Sequence, residues 1–342
     1  MIVKLHHNFA WSHCRAFVSR LAGVSALTGL MFFSSQALAQ SSNAYPSKPI
    51  RIVVNFAAGG GVDLIGRTVA TGLQNSLGWT TVVENRPGAG GNLGADLVAK
   101  SAPDGYTLLV TNGGTLHTNP HIYKAMPLDP LRDLVPIAEL ARIPNLLVTR
   151  KAFPANNVPE FMAYLRANPG KVTLATQGTG TTSHMSGEML TSMSGVSLVQ
   201  VPYKGTSAVF PDLMGDRVDF FFDGGAAVPY IRNGDLKLLA VTSASRLQLF
   251  PDTPALNEAG GVPGFVFDSA HTILAPAGTP KEIIALLNRE VLKVMGTPEV
   301  KRSLLTMNLE VIGNSPEDAA ASIAAEHKRI GDLVKKIGLT PN

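Results

Sequence analysis

Cysteine is almost absent from this chain: its 342 residues hold one, Cys14. A lone thiol near the N-terminus excludes an internal disulfide framework and a cysteine-ligated zinc site. Aromatic residues make up 6% and charged residues 16% of the chain, and lysine and arginine never gather into a run. That leaves no electrostatic or stacking footprint for nucleic acid. No Gly-x-Ser-x-Gly nucleophile elbow occurs, and no Walker-type lysine follows any glycine-rich loop, which speaks against an α/β-hydrolase nucleophile and a nucleoside triphosphate site. A repeat of fixed period and a low-complexity segment are also missing, so an array or solenoid is not expected.

Long hydrophobic runs are scarce too, with one exception at the N-terminus. Lys4, Arg15 and Arg20 precede an apolar stretch from Leu21 to Phe33, and Ala37-Leu38-Ala39 follows as a small-x-small signal before Gln40. The apolar stretch is short for a bilayer span, so residues 1–39 are read as a secretory signal peptide cleaved after Ala39. Cys14 would leave with it, and the exported protein is expected to carry no lipid anchor. Residues 1–39 also carry three of the 29 basic residues and none of the 25 acidic ones. What remains is nearly neutral.

What is present is a globular composition, 45% hydrophobic, in which short apolar runs alternate with amphipathic ones. That alternation predicts an α/β protein. Apolar or β-branched runs at 50–56, 80–84, 106–111, 146–150, 172–176, 198–203, 218–222 and 236–242 read as strands buried on both faces, the habit of parallel sheets. Val62, Ile65, Val69 and Leu73 share one face of a first helix. Ile283, Leu287, Val291 and Val294 do so in a helix that stops at Gly296, and Ile323, Ile330, Val334 and Ile337 in a last helix opened by Ser315-Pro316-Glu317-Asp318.

The segments Ala141-Arg142-Ile143-Pro144 and Asp268-Ser269-Ala270-His271 read as crossings between two domains. On that reading residues 40–142 and 275–342 form one α/β lobe, and residues 143–274 form the other. Two crossings make a hinge.

Glycine-rich segments fall where strands give way to helices: Phe56-Ala57-Ala58-Gly59-Gly60-Gly61-Val62-Asp63, Asn112-Gly113-Gly114-Thr115 and Gly178-Thr179-Gly180-Thr181-Thr182-Ser183-His184. Ligands of open α/β sheets sit outside the carboxyl ends of the strands. Backbone N–H groups and helix N-termini there favour an anion. Ser183 and His184 suggest a nucleophile and base, but neighbours on a helix point about 100° apart and cannot make the required hydrogen bond. Thr181, Thr182 and Ser183 instead offer hydroxyls to a carboxylate, or serve simply as helix caps.

Other chemistry is less well supported. Asp63 in a first helical turn is either a base or a dipole partner and loop brace. His117 and His121 are separated by Asn119-Pro120, which breaks the helix that a two-histidine metal site would need. Gly88, Gly90 and Gly94 resemble a dinucleotide loop, yet Asn85-Arg86-Pro87 intervenes after the strand and no acidic residue ends the next one, so a tight turn is the better account. Tyr203 and Lys204 follow another strand end, where Tyr203 either walls a pocket or belongs to the core. No metal and no cofactor are expected.

Five segments in order carry a family resemblance: Phe56-Ala57-Ala58-Gly59-Gly60-Gly61-Val62-Asp63, Glu84-Asn85-Arg86-Pro87-Gly88-Ala89-Gly90-Gly91, Pro103-Asp104-Gly105-Tyr106-Thr107-Leu108-Leu109, Val201-Pro202-Tyr203-Lys204-Gly205 and Ala275-Pro276-Ala277-Gly278-Thr279-Pro280. Together they resemble the substrate-binding proteins of tripartite tricarboxylate transporters, also called Bug receptors. The resemblance implies a non-enzymatic periplasmic receptor of the type II-like binding-protein fold, whose two α/β lobes close on a small carboxylate and hand it to membrane permease subunits; the receptor is expected to be a monomer. The ligand class it implies covers di- and tricarboxylates, acidic amino acids and aromatic carboxylates.

Carried onto this chain, the ligand-binding residues are Phe56, Ala58, Gly59, Gly60 and Asp63 in the first loop, and Thr179, Gly180, Thr181, Thr182, Ser183 and His184 in the middle one. Topology adds the strand-end residues Asn112, Thr115, Tyr203 and Asp223. The chain departs from the family pattern at Ala58, where proline is usual, and at Val62, where threonine or serine is common. Losing that hydroxyl removes a polar anchor from the first lobe and points to a more apolar ligand with one carboxylate. Two rival functions remain on sequence grounds: a secreted hydrolase of carboxylate esters, and an accessory protein that reports the ligand to a membrane kinase.

Overall fold

A computed structural model describes residues 45–178, 180–258, 260 and 262–338. The expected signal peptide with its cleavage site, and Thr179, lie outside the described residues. From Lys48 onward the chain makes one compact unit. Its strands in chain order are β1 (Ile50–Val54), β2 (Thr81–Asn85), β3 (Thr107–Asn112), β4 (Leu134–Pro144), β5 (Leu146–Arg150), β6 (Thr173–Thr176), β7 (Val199–Pro202), β8 (Phe220–Asp223), β9 (Leu236–Val241), β10 (Asp268–Pro276) and β11 (Glu310–Val311). They form two sheets, ordered β11-β4-β10-β3-β1-β2 and β7-β6-β8-β5-β9.

Only part of each sheet is parallel. β1 runs parallel to β2 and β3, and β6 parallel to β7 and β8. β10 is antiparallel to β3 and β4, and β5 is antiparallel to β8 and β9. The cause is the crossing. β4 passes into β5 through Asn145 alone, with no helix to turn the chain around, so β5 enters the second sheet against its neighbours. β10 brings the chain back beside β4. The two crossing segments are ladder partners, with Asp268 opposite Pro144 and His271 opposite Ala141. The outer strands β2 and β7 are partly exposed, whereas the interior strands β1, β3, β5, β6 and β8 are mostly buried.

Helices cover the sheets. In the helix Gly61–Leu77, Val62, Ile65, Val69 and Leu73 are buried, the face its spacing predicts, and Gly78 ends it in the left-handed region at φ 66°. The helix Lys281–Met295 is turned slightly from the expected face: Ile284, Leu287, Val291 and Val294 are buried while Ile283 is only half-buried. The last helix, Pro316–Lys336, starts on Ser315, whose hydroxyl accepts the Asp318 N–H at 3.0 Å. It buries Ile323 in the core of the first sheet. Farther along, Ile330 and Val334 join Phe161, Met185, Phe220 and Phe265 in the core of the second. That helix therefore packs against both sheets. Among the described residues no helix is long and apolar enough to cross a membrane.

The loop after β2 is a tight turn. Gly88, Gly90 and Gly91 all have positive φ, and a Cβ on Gly94 would stand 2.6 Å from the Arg86 carbonyl oxygen. Close packing of the turn against the next helix explains these glycines without a nucleotide.

Candidate functional site

The loops that follow β1, β3, β6 and β8 converge with the crossing strand β10 on a cleft between the two sheets. It has two adjoining hollows. The larger, about 800 Å³, is lined among others by Gly60, Gly61, Val62, Thr206, Asp223 and His271. The smaller, about 290 Å³, is lined among others by Phe56, His117, Thr118, Gly180, Thr181 and Asp268. Asn112, Gln177, Thr182 and Ser269 face both.

Two helices begin at the cleft wall. Gly60 is the N-cap of Gly61–Leu77 and Thr181 that of the helix Thr182–Ser194, and neither offers a side-chain cap to the first-turn N–H groups. Uncapped first-turn N–H groups and the positive end of the helix dipole together suit a carboxylate. Thr182 makes no side-chain hydrogen bond to another described residue, so its hydroxyl is available to a ligand.

Several expected ligand residues instead build the walls. Gly59 has φ +86° and donates its N–H to Asp63 Oδ2 at 2.9 Å. Asp63 is buried and also accepts from Arg67 Nε and Asn85 Nδ2, each at 2.9 Å. Burial pushes the Asp63 pKa up, but the hydrogen bonds from Arg67, Gly59 and Asn85 outweigh it and hold the group at about 2. Its oxygens are thus committed to the loop. Ala58 is exposed and lines neither hollow. Thr115 is fully buried, takes a hydrogen bond from Asn55 Nδ2 at 3.1 Å and gives one to the Gly90 carbonyl at 3.2 Å.

In the middle loop, Thr181 Oγ1 donates to the Gly178 carbonyl at 2.7 Å. Ser183 is fully buried, and its Oγ accepts the Gln177 N–H at 3.0 Å. His184 Nδ1 accepts the Gly180 N–H at 3.3 Å, and burial lowers its pKa. Serine and histidine are therefore engaged with separate backbone groups rather than with each other. Tyr203 lies away from both hollows. Its hydroxyl donates to Asp212 at 2.9 Å, and burial followed by that bond pushes its pKa up to about 12. Asp223 does reach the larger hollow, but its Oδ2 accepts the N–H groups of Gly225 and Ala227 at 2.7 Å each, which folds the carboxylate into its own loop.

Residues the sequence argument passed over complete the cleft. Gln177 follows β6 directly, where the strand-end rule would place a ligand contact, and its side-chain amide is hydrogen-bonded to Thr206. Ser269 Oγ accepts the Gly113 N–H at 3.3 Å and so ties β10 to the loop after β3. His117 and His271 are buried, and the Nδ1 of each lacks a hydrogen-bond partner, as does Asn112 Oδ1. Burial pushes the pKa of both imidazoles down to about 4. They are neutral near pH 7. His271 and Ser269 were legible only as a crossing, since nothing in a single strand shows which ladder partner brings it to a cleft.

Two α/β sheets joined by paired crossing strands, with a polar cleft at their strand ends, define the two-lobed, type II-like class of periplasmic binding proteins. The sequence model described as tripartite tricarboxylate transporter family receptor matches residues 65–339. The chain belongs to that family, whose members are solute-binding receptors of the periplasm. Among solved structures it is similar to R. palustris Rpa4515 with adipate (35% identity, TM-score 0.77, covering 87% of this chain and 100% of that one). It is likewise similar to the periplasmic binding protein BugD (36%, 0.73, 87% and 100%). A third such structure is MatC from Rhodopseudomonas palustris with bound malate (32%, 0.71, 85% and 100%).

Proposed function

We propose that this chain is exported by removal of residues 1–39, binds a small carboxylate in the cleft as a monomer, and passes it to the permease subunits of a tripartite tricarboxylate-type transporter. The observation that carries the reading is the meeting of two uncapped helix N-termini, at Gly60 and Thr181, with the unpartnered Thr182 hydroxyl on one cleft. Donors of this kind recognise a carboxylate without a bidentate ion pair. The adipate and malate found with two relatives support the same ligand class.

The lobes are residues 40–142 with 275–342, and 143–274, and they close by bending where β4 runs into β5 and β10 returns. No residue is assigned a catalytic role. Ser183 and His184 serve the binding loop, and their separate backbone partners favour a receptor over a hydrolase.

The test is a thermal-shift screen of residues 40–342 against carboxylic acids, each with its neutral amide and ester. A ligand at about 100 times its Kd adds roughly 2.7 kcal/mol of stability. Stabilisation by an acid, absent with its amide and without turnover, is the expected result. Ester hydrolysis, or no response to any acid, would overturn the reading.

A further inference from the structure

Where the chain crosses from the first sheet to the second, between Pro144 and Leu146, it is gripped from both sides. Asn145 is buried; its side-chain amide donates to Ser186 Oγ at 2.9 Å and its N–H to Thr242 Oγ1 at 2.8 Å. Ser186 lies one turn beyond Thr182 in the helix that begins at the cleft. On the other side stands Asn308, 1% exposed, whose Nδ2 donates to the Pro144 carbonyl at 2.9 Å and to the Gly224 carbonyl, in the loop after β8, at 3.4 Å.

Asn308 follows the helix Pro298–Leu305 and precedes β11, which pairs with β4. Its φ is +60°, and its N–H closes the helix end on the Leu305 carbonyl at 3.0 Å. A left-handed residue after a helix is least strained as glycine. Glycine would serve the helix end alone, so the asparagine side chain is accounted for by its two distant carbonyls. The same loops also meet through their backbones: a Cβ on Gly225 would stand 2.7 Å from the Met307 carbonyl oxygen and 3.1 Å from Asn308 Cβ. Met307 and Leu309 line the larger hollow, whereas Asn308 lines neither. Asn308 bears on the cleft through position, not through contact with a ligand.

The crossing strands β4 and β10 are ladder partners, so by themselves they form a narrow ribbon that can twist as well as bend. β11 lies on the far side of β4 from β10, and Asn308, just ahead of it, adds an attachment beside that ribbon. We propose that Asn308 is a positioning residue for lobe closure: it holds Pro144 and Gly224 to the first lobe and so fixes the pivot about which the second lobe turns. Closure about a fixed pivot keeps the helix N-terminus at Thr181 aligned with that at Gly60. The inference rests on the two-lobed receptor reading above for its division of the chain.

Residues 40–342 contain no cysteine, so one spin label can be placed on each lobe through Lys100→Cys and Lys171→Cys, both at exposed positions. Pulsed electron resonance then reads the distance between the labels in the free protein, and the labelled parent is expected to show one narrow distribution. Asn308→Gly, which keeps the left-handed backbone and removes the amide, and Asn308→Asp, which keeps the size and removes the donor, should each broaden it. Asn288→Ala is the control. That amide donates to the Ile137 and Asn314 carbonyls at 2.8 and 2.9 Å within the first lobe, so its loss should lower the melting temperature and leave the distribution unchanged. Titration with adipate and with malate reads the consequence: an acid that binds the parent should bind Asn308→Gly about fivefold to tenfold more weakly, because a smaller share of the free protein is aligned. Unchanged distributions in both Asn308 variants, or broadening that Asn288→Ala reproduces, overturns the assignment. So does an affinity left untouched by the broadening, and so does failure of both Asn308 variants to fold, which would make the side chain part of the core alone. The distance measurement uses no ligand, so the two readings are decided separately: failure of every acid to bind removes the receptor, and unchanged distances in a chain that binds acids remove only the pivot.

Discussion

Gly59 gives its N–H to Asp63 Oδ2 at 2.9 Å, and through that bond the first glycine-rich loop is fastened to the helix behind it. The same oxygen accepts Arg67 Nε, and Asn85 Nδ2 reaches the other oxygen. Asp63→Asn replaces an acceptor of three hydrogen bonds with a neutral amide and is expected to cost about 1–3 kcal/mol of stability at pH 7. The folded pKa of about 2 lies below the ordinary aspartate value of 3.8. Its stabilisation is therefore complete above that ordinary value and is lost as pH falls towards 2. Urea unfolding of wild type and variant at stepped pH should show the difference shrinking across that window. A constant difference would mean that the carboxylate charge is not what holds the loop.

Thr182 and Ser183 are adjacent but have different work. Ser183 is buried against the Gln177 N–H, whereas Thr182 faces both hollows with no protein partner. Thr182→Val should weaken carboxylate binding by about tenfold, the worth of one charge-assisted hydrogen bond, and leave the free protein's melting temperature unchanged. Ser183→Ala should instead destabilise the protein by about 1–2 kcal/mol, because it strands a backbone N–H. Titration calorimetry with calorimetric melting separates the two. The reverse pattern would exchange their roles.

The contrast marks how far sequence reasoning reaches. Helical spacing identified the buried face of Gly61–Leu77 correctly because burial on one side of a helix must repeat every three to four residues. Strand-end glycines located the cleft for a similarly local reason. Which hydroxyl faces the cleft is decided by the direction of one short turn, and no spacing rule carries that. Ser269 and His271 escaped for another reason. They reach the cleft through pairing of β10 with β4, which is a relation between distant segments. The antiparallel strands escaped likewise, since a fully buried apolar run reads the same in either direction.

Gly91 lies beside the buried amide of Asn55, which donates to the Gly91 carbonyl and to the hydroxyls of Thr111 and Thr115 at 2.9–3.1 Å. Its φ is +95°, and a Cβ there would fall 2.5 Å from Asn55 Nδ2 and 2.6 Å from Thr115 Oγ1. Neither neighbour has room to move without breaking the cluster. Gly91→Ala is expected to cost about 2–3 kcal/mol through overpacking and backbone strain. Gly59→Ala, also at positive φ but with nothing within 4 Å of a Cβ, pays only the conformational term, about 1 kcal/mol. Chemical denaturation of both variants tests the ranking, and equal losses would refute the crowding at Gly91.

His117 and His271 bring a pH dependence that belongs to the cleft. Burial holds both near a pKa of 4, well below 6.5; at His117 the nearby Glu326 raises the value while His327, Arg329 and His121 lower it. Between pH 6.5 and 4 the unfolded chain therefore takes up protons that the folded chain refuses. Stability falls as pH drops through that window, by up to about 1.4 kcal/mol per pH unit for each histidine. Buried Asp223 and Glu139 and half-buried Asp268 have raised pKa values and push in the opposite direction, so the slope of the wild type alone is not diagnostic. The informative comparison is with the His117→Asn/His271→Asn double variant, in which the acids are unchanged. Its urea midpoint should fall less steeply than that of the wild type from pH 6.5 to 4 and run parallel to it above pH 7. Parallel curves throughout would mean that the two imidazoles are already charged in the folded protein below pH 6.5, and a cleft carrying two more positive charges there would attract anions by net charge as well as by its helix ends.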